Sequence, residues 1–282
     1  MRRSLLATVA LAAVAIAPRL WDLGTPSLWL DEAYSLLRAD PRRDVVAVVE
    51  RIAAYDAHPP LYYLCLHVWA LAFGSSPAAI RALSVVFSVG AVVLLHRLAL
   101  LYLTRPVAFA VGLAAALSGY QVYFAQEARP YALLLLLGLA AVLGFSRAFV
   151  EPDPRRRSIW ISLHGSALVL SFYTYYYALF LGTSLGLVAL GTALAVPRRR
   201  GTALRLIAAE FAAVAAFLPY MWVIHRRIQE FESTGASAGW TFPFGGTVLP
   251  ELAGAFVLGP VHGPGPMAGL AEAGVELAGL VL

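Results

Sequence analysis

The sequence predicts an all-α, polytopic transmembrane protein with about eight membrane spans, each about 20 residues long. The first observation is composition: 60% of the residues are hydrophobic and 13% are charged, whereas soluble domains have about 25% charged residues. The second observation is a series of long apolar runs that contain almost no charge. The third is that arginine clusters separate alternate runs, which is typical of loops at one membrane surface.

Each long apolar run is interpreted as one crossing, because a helix of about 20 residues spans a hydrocarbon core about 30 Å thick. Residues 5–21 form the first predicted crossing, and a cleaved secretory signal peptide is the alternative for this segment. The later predicted crossings are residues 80–101, 107–125, 130–149, two helices within 159–196 that break near 175–177, 203–223 and the weaker 247–258.

The basic residues predict the orientation, because lysine and arginine are retained in short cytoplasmic loops. Four clusters fall on one side of the predicted bundle: Arg2 with Arg3, His96 with Arg97 and Arg105, residues 155–157, and residues 198–200. That side is the predicted cytoplasm, and it holds the N-terminus of a multi-pass protein of the plasma or inner membrane. The predicted outer segments are residues 22–79, 126–129, 173–177 and 226–246.

The first outer loop, residues 22–79, is predicted to carry juxtamembrane helices. An amphipathic pattern suited to the membrane surface is formed by Val45, Val46, Val48, Val49 and Ile52. The apolar segment 61–73 is short for a crossing, and counting it as one would move two arginine clusters to the outside. It is therefore interpreted as an interfacial or dipping helix.

Charge and cysteine content exclude several classes of function. The net charge of +5 does not indicate a nucleic-acid partner, because the arginines stand between apolar runs and not along a polar surface. Cys65 is the single cysteine, so an intramolecular disulfide and a zinc site built on cysteine pairs are excluded. No cofactor is predicted, and a divalent metal is not supported.

Three polar patterns, residues 29–34, 55–63 and 123–131, are predicted to meet on the outer side. The first contains Asp31 and Glu32, and a carboxylate can serve as a general base. Adjacent helical residues point about 100° apart, so one of the two is expected to enter the cavity. Asp31 is favoured for this role.

The other two patterns offer groups that can hold a phosphate. Arg129 presents a planar fork of donors, and His58 can add a further hydrogen bond. Gln126 and Glu127 are predicted to orient these groups. Together with a base, such donors suit the transfer of a group away from a lipid phosphate, which leaves with negative charge.

Each polar pattern also has a purely structural interpretation. Asp31 and Glu32 can be the solvated start of an outer helix, and Arg129 can extend to the interface, as arginines at helix ends commonly do. The tyrosines and tryptophans are first of all an aromatic belt.

Four residues within the apolar runs are also assigned structural roles. Glu210 is a carboxylate that is expected to pair with Arg205 or Arg226. Packing is favoured for three histidines: His67, His96 and His164.

Three strings resemble a known family. They are Leu-Asp-Glu-Ala at 30–33, His-Pro-Pro-Leu at 58–61 and Gln-Glu-Ala-Arg-Pro-Tyr at 126–131. In order and spacing they resemble the dolichyl-phosphate-mannose protein mannosyltransferase-like group of GT-C glycosyltransferases. That group includes the bacterial lipid A aminoarabinose transferases and the RgtA/B/C/D-like enzymes.

The resemblance implies a GT-C type fold, a polyprenyl-phosphate sugar as donor, and an acidic catalytic residue in the first outer loop. It implies a catalytic position for Asp31, with Glu32 beside it. It implies positions near the donor phosphate or substrate for five residues: His58, Gln126, Glu127, Arg129 and Tyr131.

Two departures from the family pattern concern the site. A Thr-Tyr-Tyr sequence at 174–176 replaces a Thr-His-Tyr of relatives, and Ala57 and His58 replace an acidic residue and a lysine of the aminoarabinose transferases. The second departure argues against a metal site and against the substrate of the aminoarabinose transferases. Residues 1–282 are expected to form a single transmembrane domain without the family's outer C-terminal domain.

The sequence therefore predicts a membrane glycosyltransferase, a hexosyl or pentosyl transferase of the cell envelope. It is expected to transfer a sugar from a polyprenyl-phosphate donor to a hydroxyl of a glycan, lipid or protein acceptor outside the cytoplasm. The alternatives are a transporter or flippase, for which inverted repeats are expected but not found, and an inactive paralogue or fragment.

Overall fold

The computed structural model describes residues 2–55 and 58–233, and within them the regular structure is entirely helical. A 3-10 helix, Pro197–Arg199, precedes the last α-helix. The α-helices are α1 Arg2–Leu20, α2 Leu30–Arg38, α3 Val45–Tyr55, α4 Leu61–Phe73, α5 Pro77–Ala99, α6 Arg105–Leu117, α7 Gly119–Ala125, α8 Tyr131–Val150, α9 Pro154–Thr174, α10 Ala178–Ala195 and α11 Arg200–Ser233.

Four stretches of the described chain are long and apolar enough to cross a membrane: α5, α8, α10 and the segment Pro197–Arg227. The count becomes five if α6 and α7, which meet at an angle of 53°, are one broken span. The chain is a membrane-embedded helical protein, but the predicted number of eight crossings is not confirmed. The apolar part of α1 is the shorter segment Leu5–Leu20, and the predicted crossing 247–258 lies outside the described residues.

The break predicted near residues 175–177 is present. α9 ends at Thr174 and α10 begins at Ala178. A second break, between α6 and α7, was not predicted. It exposes the last carbonyl groups of α6, which have no partner within their helix. The buried Arg19 guanidinium donates to two of them, at 2.7 Å to Ala116 O and 3.4 Å to Ala115 O.

The chain alternates between two ends of the bundle. At one end the Gln126 side-chain amide donates to Trp21 O at 2.7 Å, which joins the end of α1 to the end of α7. At the other end the Arg199 guanidinium lies 5.9 Å from the Phe149 ring. We call the first the loop end, because residues 21–55 and 58–76 lie there, and the second the arginine end.

Close helix packing brings α8 and α9 together. A Cβ atom at Gly144 of α8 would lie 2.8 Å from both His164 N and Trp160 O of α9. Small residues allow such backbone approach between membrane helices. The two helices therefore form a rigid pair whose loop ends carry residues of the candidate site.

Helices α2, α3 and α4 form a layer over the loop end. Of the five apolar residues in the predicted amphipathic pattern of α3, Val48 and Ile52 are fully buried, whereas Val45, Val46 and Val49 are exposed. The two buried residues pack with Tyr62 and Leu66 of α4 and with Ile80 of α5 in one hydrophobic cluster. This layer holds α2, which carries both carboxylates of the first pattern, against the helix bundle.

Candidate active site

Asp31 and Arg129 face each other at the loop end. Arg129 Nη2 lies 3.5 Å from Asp31 Oδ2, and the side chains are 8% and 40% exposed, respectively. Asp31 stands in the first turn of α2, where the helix dipole favours a negative charge, and Arg129 stands in the loop before α8. Arg129 Nε is buried and has no hydrogen-bond partner among the described residues. The pair therefore consists of an accessible carboxylate and a buried guanidinium.

Glu32 points away from Asp31 and is fully engaged by the protein. Arg81 of α5 binds it with two parallel hydrogen bonds, Nε to Oε1 at 2.8 Å and Nη2 to Oε2 at 2.7 Å. The Ala128 N–H also donates to Oε1 at 2.9 Å, and the Trp29 N–H donates to Oε2 at 3.4 Å. Glu32 thus links α2, α5 and the 126–130 loop, and Asp31 is the carboxylate of the pair that is open to a substrate.

Arg81 is a residue of the site that sequence reasoning missed. Besides Glu32 it donates to the carbonyl groups of Leu23, Pro26 and Ser27 at 3.0, 2.9 and 3.1 Å. The available signal was an arginine in the first turns of an apolar helix, a position where a buried charge needs a partner. Arg81 fixes the segment that leads from α1 to α2, and with it the position of Asp31.

Glu127 is buried beside this pair. Burial raises the pKa of the Glu127 carboxyl from 4.5 to about 7. A hydrogen bond from Tyr123 and the charge of Arg129 act against this rise, whereas the charges of Glu32 and Asp31 add to it. The carboxyl is therefore neutral below about pH 7, so it does not cancel the positive charge of Arg129 there.

Gln126 has a scaffold position. Its side-chain amide donates to the carbonyl groups of Pro18, Arg19 and Trp21 at 3.4, 3.3 and 2.7 Å. Pro18 and Arg19 are among the last residues of α1, whose carbonyl groups lack partners within the helix, and Trp21 follows that helix. Gln126 therefore bridges α1 and the loop that carries Arg129, and its role in orienting the phosphate-binding groups stays a prediction.

His58 lies in an aromatic row that begins beside Arg129. The Arg129 guanidinium is 5.8 Å from the Tyr131 ring, Tyr131 is 6.2 Å from Tyr175, and Tyr175 is 5.3 Å from His58. The Tyr220 hydroxyl donates to His58 O at 3.0 Å and so ties this segment to α11. The guanidinium, the two tyrosine rings and the histidine ring therefore follow one another at distances of 5.3–6.2 Å.

An apolar cavity of about 630 Å³ opens beside the same tyrosine. It runs between α5, α7, α8 and α10, and Tyr131 stands in its wall close to Arg129. Further lining residues continue along α8 into the apolar bundle: Ala132, Leu134, Leu135, Gly138, Leu139 and Val142. The cavity therefore extends from Tyr131, two residues after Arg129, along α8 into the apolar bundle.

The described residues contain no group of three or more histidine, cysteine or acidic side chains placed to hold a metal ion. The buried carboxylate Glu210 has a different partner from either arginine expected for it: His164 Nε2 lies 3.1 Å from Glu210 Oε1. His164 Nδ1 also contacts Ala141 O at 3.0 Å. The prediction of mere packing for His164 was wrong, because the pair joins α8, α9 and α11.

Comparisons with known proteins bear on the fold. No family model matches the chain, and no curated protein matches it in sequence. Among solved structures it is similar to the Saccharomyces cerevisiae protein O-mannosyltransferase Pmt1-Pmt2 complex bound to its sugar donor. The TM-score is 0.65 at 19% identity over 80% of this chain.

The match covers 34% of the yeast chain, so the chain spans about a third of the length of this structural relative. Likeness at this level of identity concerns the fold, and the predicted all-helical GT-C architecture is confirmed by it. The described chain therefore has the GT-C fold.

Proposed function

We propose that the protein is a membrane glycosyltransferase that transfers a sugar from a polyprenyl-phosphate donor to an acceptor hydroxyl on the extracytoplasmic side. The single observation that carries the proposal is the Asp31–Arg129 pair, at 3.5 Å, next to Tyr131 in the wall of an apolar cavity. A lipid-linked substrate needs an apolar path for its chain and a polar centre at the end of that path. The yeast protein of the same fold is described with a bound sugar donor, which supports this class of reaction.

The proposed reaction is a single displacement with inversion at the sugar. Asp31 accepts the proton from the acceptor hydroxyl, and the oxygen of that hydroxyl forms a bond to the anomeric carbon. The bond between that carbon and the phosphate oxygen breaks, and its electron pair stays on the phosphate. The accessible side chain of Asp31 suits this role, whereas the four contacts of Glu32 with the protein do not.

Arg129 is the proposed phosphate ligand. Its guanidinium is held in a mostly buried position, where a charge-assisted hydrogen bond is stronger than in water. Below about pH 7 the neutral Glu127 adds no negative charge beside Arg129, so it does not oppose binding of the anionic donor. The orphan donor Arg129 Nε gains a partner when a phosphate oxygen is present.

The cavity between α5, α7, α8 and α10 is the proposed path of the polyprenyl chain. Its wall is almost entirely aliphatic and aromatic, so burying isoprene units there stabilises the complex through the hydrophobic effect. Tyr131 lies where this path meets Arg129. Tyr131, Tyr175 and His58 then form one side of the space open to the transferred sugar, where aromatic faces can pack against its apolar C–H groups.

The experiment is transfer from a radiolabelled polyprenyl-phosphate sugar by the purified full chain in lipid nanodiscs. Asp31→Asn keeps the shape of the side chain and removes the base, so we expect release of sugar from the donor, to acceptor or to water, to fall by at least about 100-fold. Glu50→Gln, at an exposed carboxylate of α3, is the matched control and should retain activity. Undiminished release by Asp31→Asn would contradict the proposal, and transport of the intact donor without cleavage would identify a flippase.

A further inference from the structure

A second cavity lies along α2, beyond the candidate active site. It has a volume of about 360 Å³, and its lining residues are Tyr34, Leu37, Arg38, Arg51 and Tyr55. Two guanidinium groups and two tyrosine rings thus share a small space between α2 and α3. None of these residues takes part in the transfer reaction proposed above.

The cavity continues the helix face that carries the proposed base. Arg38 follows Asp31 by seven residues on α2, so both lie on one face of the helix, two turns apart. The helix rises about 10 Å between them, at about 1.5 Å per residue. A molecule that offers a hydroxyl to Asp31 can therefore extend along α2 and reach Arg38 and the cavity.

Both charged side chains among the lining residues of the cavity are arginines. Arg38 lies 5.1 Å from the Tyr34 ring and 6.0 Å from the Tyr63 ring, and it donates a long bond of 3.4 Å to Tyr55 O. Arg51 makes no hydrogen bond or ion pair with any other residue that the structure describes. An arginine fork of this kind pairs well with carboxylate or phosphate oxygens.

Within residues 34–55, the acidic side chains have other partners or positions. Asp40 binds Arg42 through Nε and Nη2, at 2.9 and 3.1 Å. Asp44 accepts from the Ala47 N–H at 2.8 Å and caps α3. Glu50 is exposed and does not line the cavity.

We propose that the cavity binds an acidic saccharide unit of the acceptor, with its carboxylate or phosphate oxygens held by Arg38 and Arg51. This inference rests on the proposed transferase function and names the class of its acceptor. The exposed rings of Tyr34 and Tyr55 supply flat faces for the apolar side of a sugar ring. Since the cavity lies two helix turns from Asp31, the acidic unit is a neighbour of the sugar that accepts, and not that sugar itself.

Binding of three disaccharides to the full chain in nanodiscs, without donor, tests the proposal directly. The probes are cellobiouronic acid, cellobiose and a cellobiose phosphate, measured by saturation-transfer NMR. We expect at least one acidic probe to bind about tenfold more tightly than cellobiose, a difference of about 1.4 kcal/mol. The carboxylate and phosphate probes together identify which oxyanion the site takes.

Arg51→Gln is expected to abolish the preference for the acidic probe. Arg42→Gln is the matched control, because Arg42 is a largely exposed arginine of the same layer, is paired with Asp40 and lies outside the cavity. Equal binding of acidic and neutral probes, no saturable binding, or equal effects of the two variants would overturn the proposal. Probe binding is measured without donor, so the two proposals can fail separately. A protein that transfers sugar but does not bind the acidic probe would refute only the acidic acceptor. A protein that binds the acidic probe but transfers no sugar would refute only the proposed reaction.

Discussion

Glu32 and Arg81 are joined by two parallel hydrogen bonds of 2.8 and 2.7 Å across 49 residues of sequence. Their side chains are 1% and 5% exposed, so the ion pair is almost completely removed from water. Together with the Ala128 N–H it connects the first loop, α5 and the loop of Arg129. The geometry of the candidate site therefore depends on a pair that itself takes no part in the proposed chemistry.

Removing one member of this pair is expected to destabilise the protein strongly. Glu32→Gln or Arg81→Gln leaves a buried charge without its partner, which costs about 3–5 kcal/mol. Thermal unfolding in detergent measures the change, and a double-mutant cycle isolates the pairwise part. Unfolding temperatures equal to that of the unmodified protein would show that the pair is not a structural clamp.

The pH dependence of donor binding is expected to follow Glu127. The pKa of this carboxyl is raised to about 7 by burial, so a negative charge develops next to Arg129 as the pH rises through 7. Affinity for the polyprenyl-phosphate sugar, measured by equilibrium binding, should therefore decrease from pH 6 to pH 8. Glu127→Gln should remove this decrease, and an unchanged pH profile in that variant would assign the dependence to another group.

The same carboxyl is also expected to make the stability of the protein depend on pH, in a direction that follows from its pKa. Its pKa in the folded state lies above its ordinary value of 4.5, so the folded protein binds this proton more tightly than the unfolded chain does. The contribution of Glu127 to stability is present below about pH 4.5 and is lost as the pH rises to about 7. Relative to Glu127→Gln, the unmodified protein should become less stable across that interval, which pH-dependent thermal unfolding can measure.

The contact between α8 and α9 gives a prediction about packing. Gly144→Ala would place a Cβ atom 2.8 Å from backbone atoms of α9, which cannot move independently of the helix, so a loss of about 1–3 kcal/mol is expected. Gly191→Ala is the matched control, because a Cβ atom there meets nothing within 4 Å. Equal unfolding temperatures for the two variants would contradict the close approach.

The apolar helices were predictable because a long run of residues without charge fits a membrane as a spanning helix. The break between α9 and α10 was also predictable, since the three consecutive tyrosines interrupt the apolar run. The bend between α6 and α7 was not, because it depends on Arg19, a residue about 100 positions away, and on carbonyl groups that carry no sequence signal.

The candidate site was also predictable only in part. The resemblance brought Asp31 and Arg129 to attention, and their contact shows that two of the strings meet. The different environments of Asp31 and Glu32 could not be read from adjacent letters, because they are set by Arg81. Glu210 was predicted to need a partner, but several cations were candidates, and the helix packing that selects His164 is a long-range property.

In the proposed reaction Asp31, and not Glu32, accepts the proton during sugar transfer. The most direct measurement compares turnover per folded molecule and unfolding temperature for Asp31→Asn and Glu32→Gln in the same nanodisc preparation. We expect Asp31→Asn to unfold as the unmodified protein does and to have lost turnover, while Glu32→Gln is less stable and its folded fraction still turns over. Full turnover by Asp31→Asn would contradict the account.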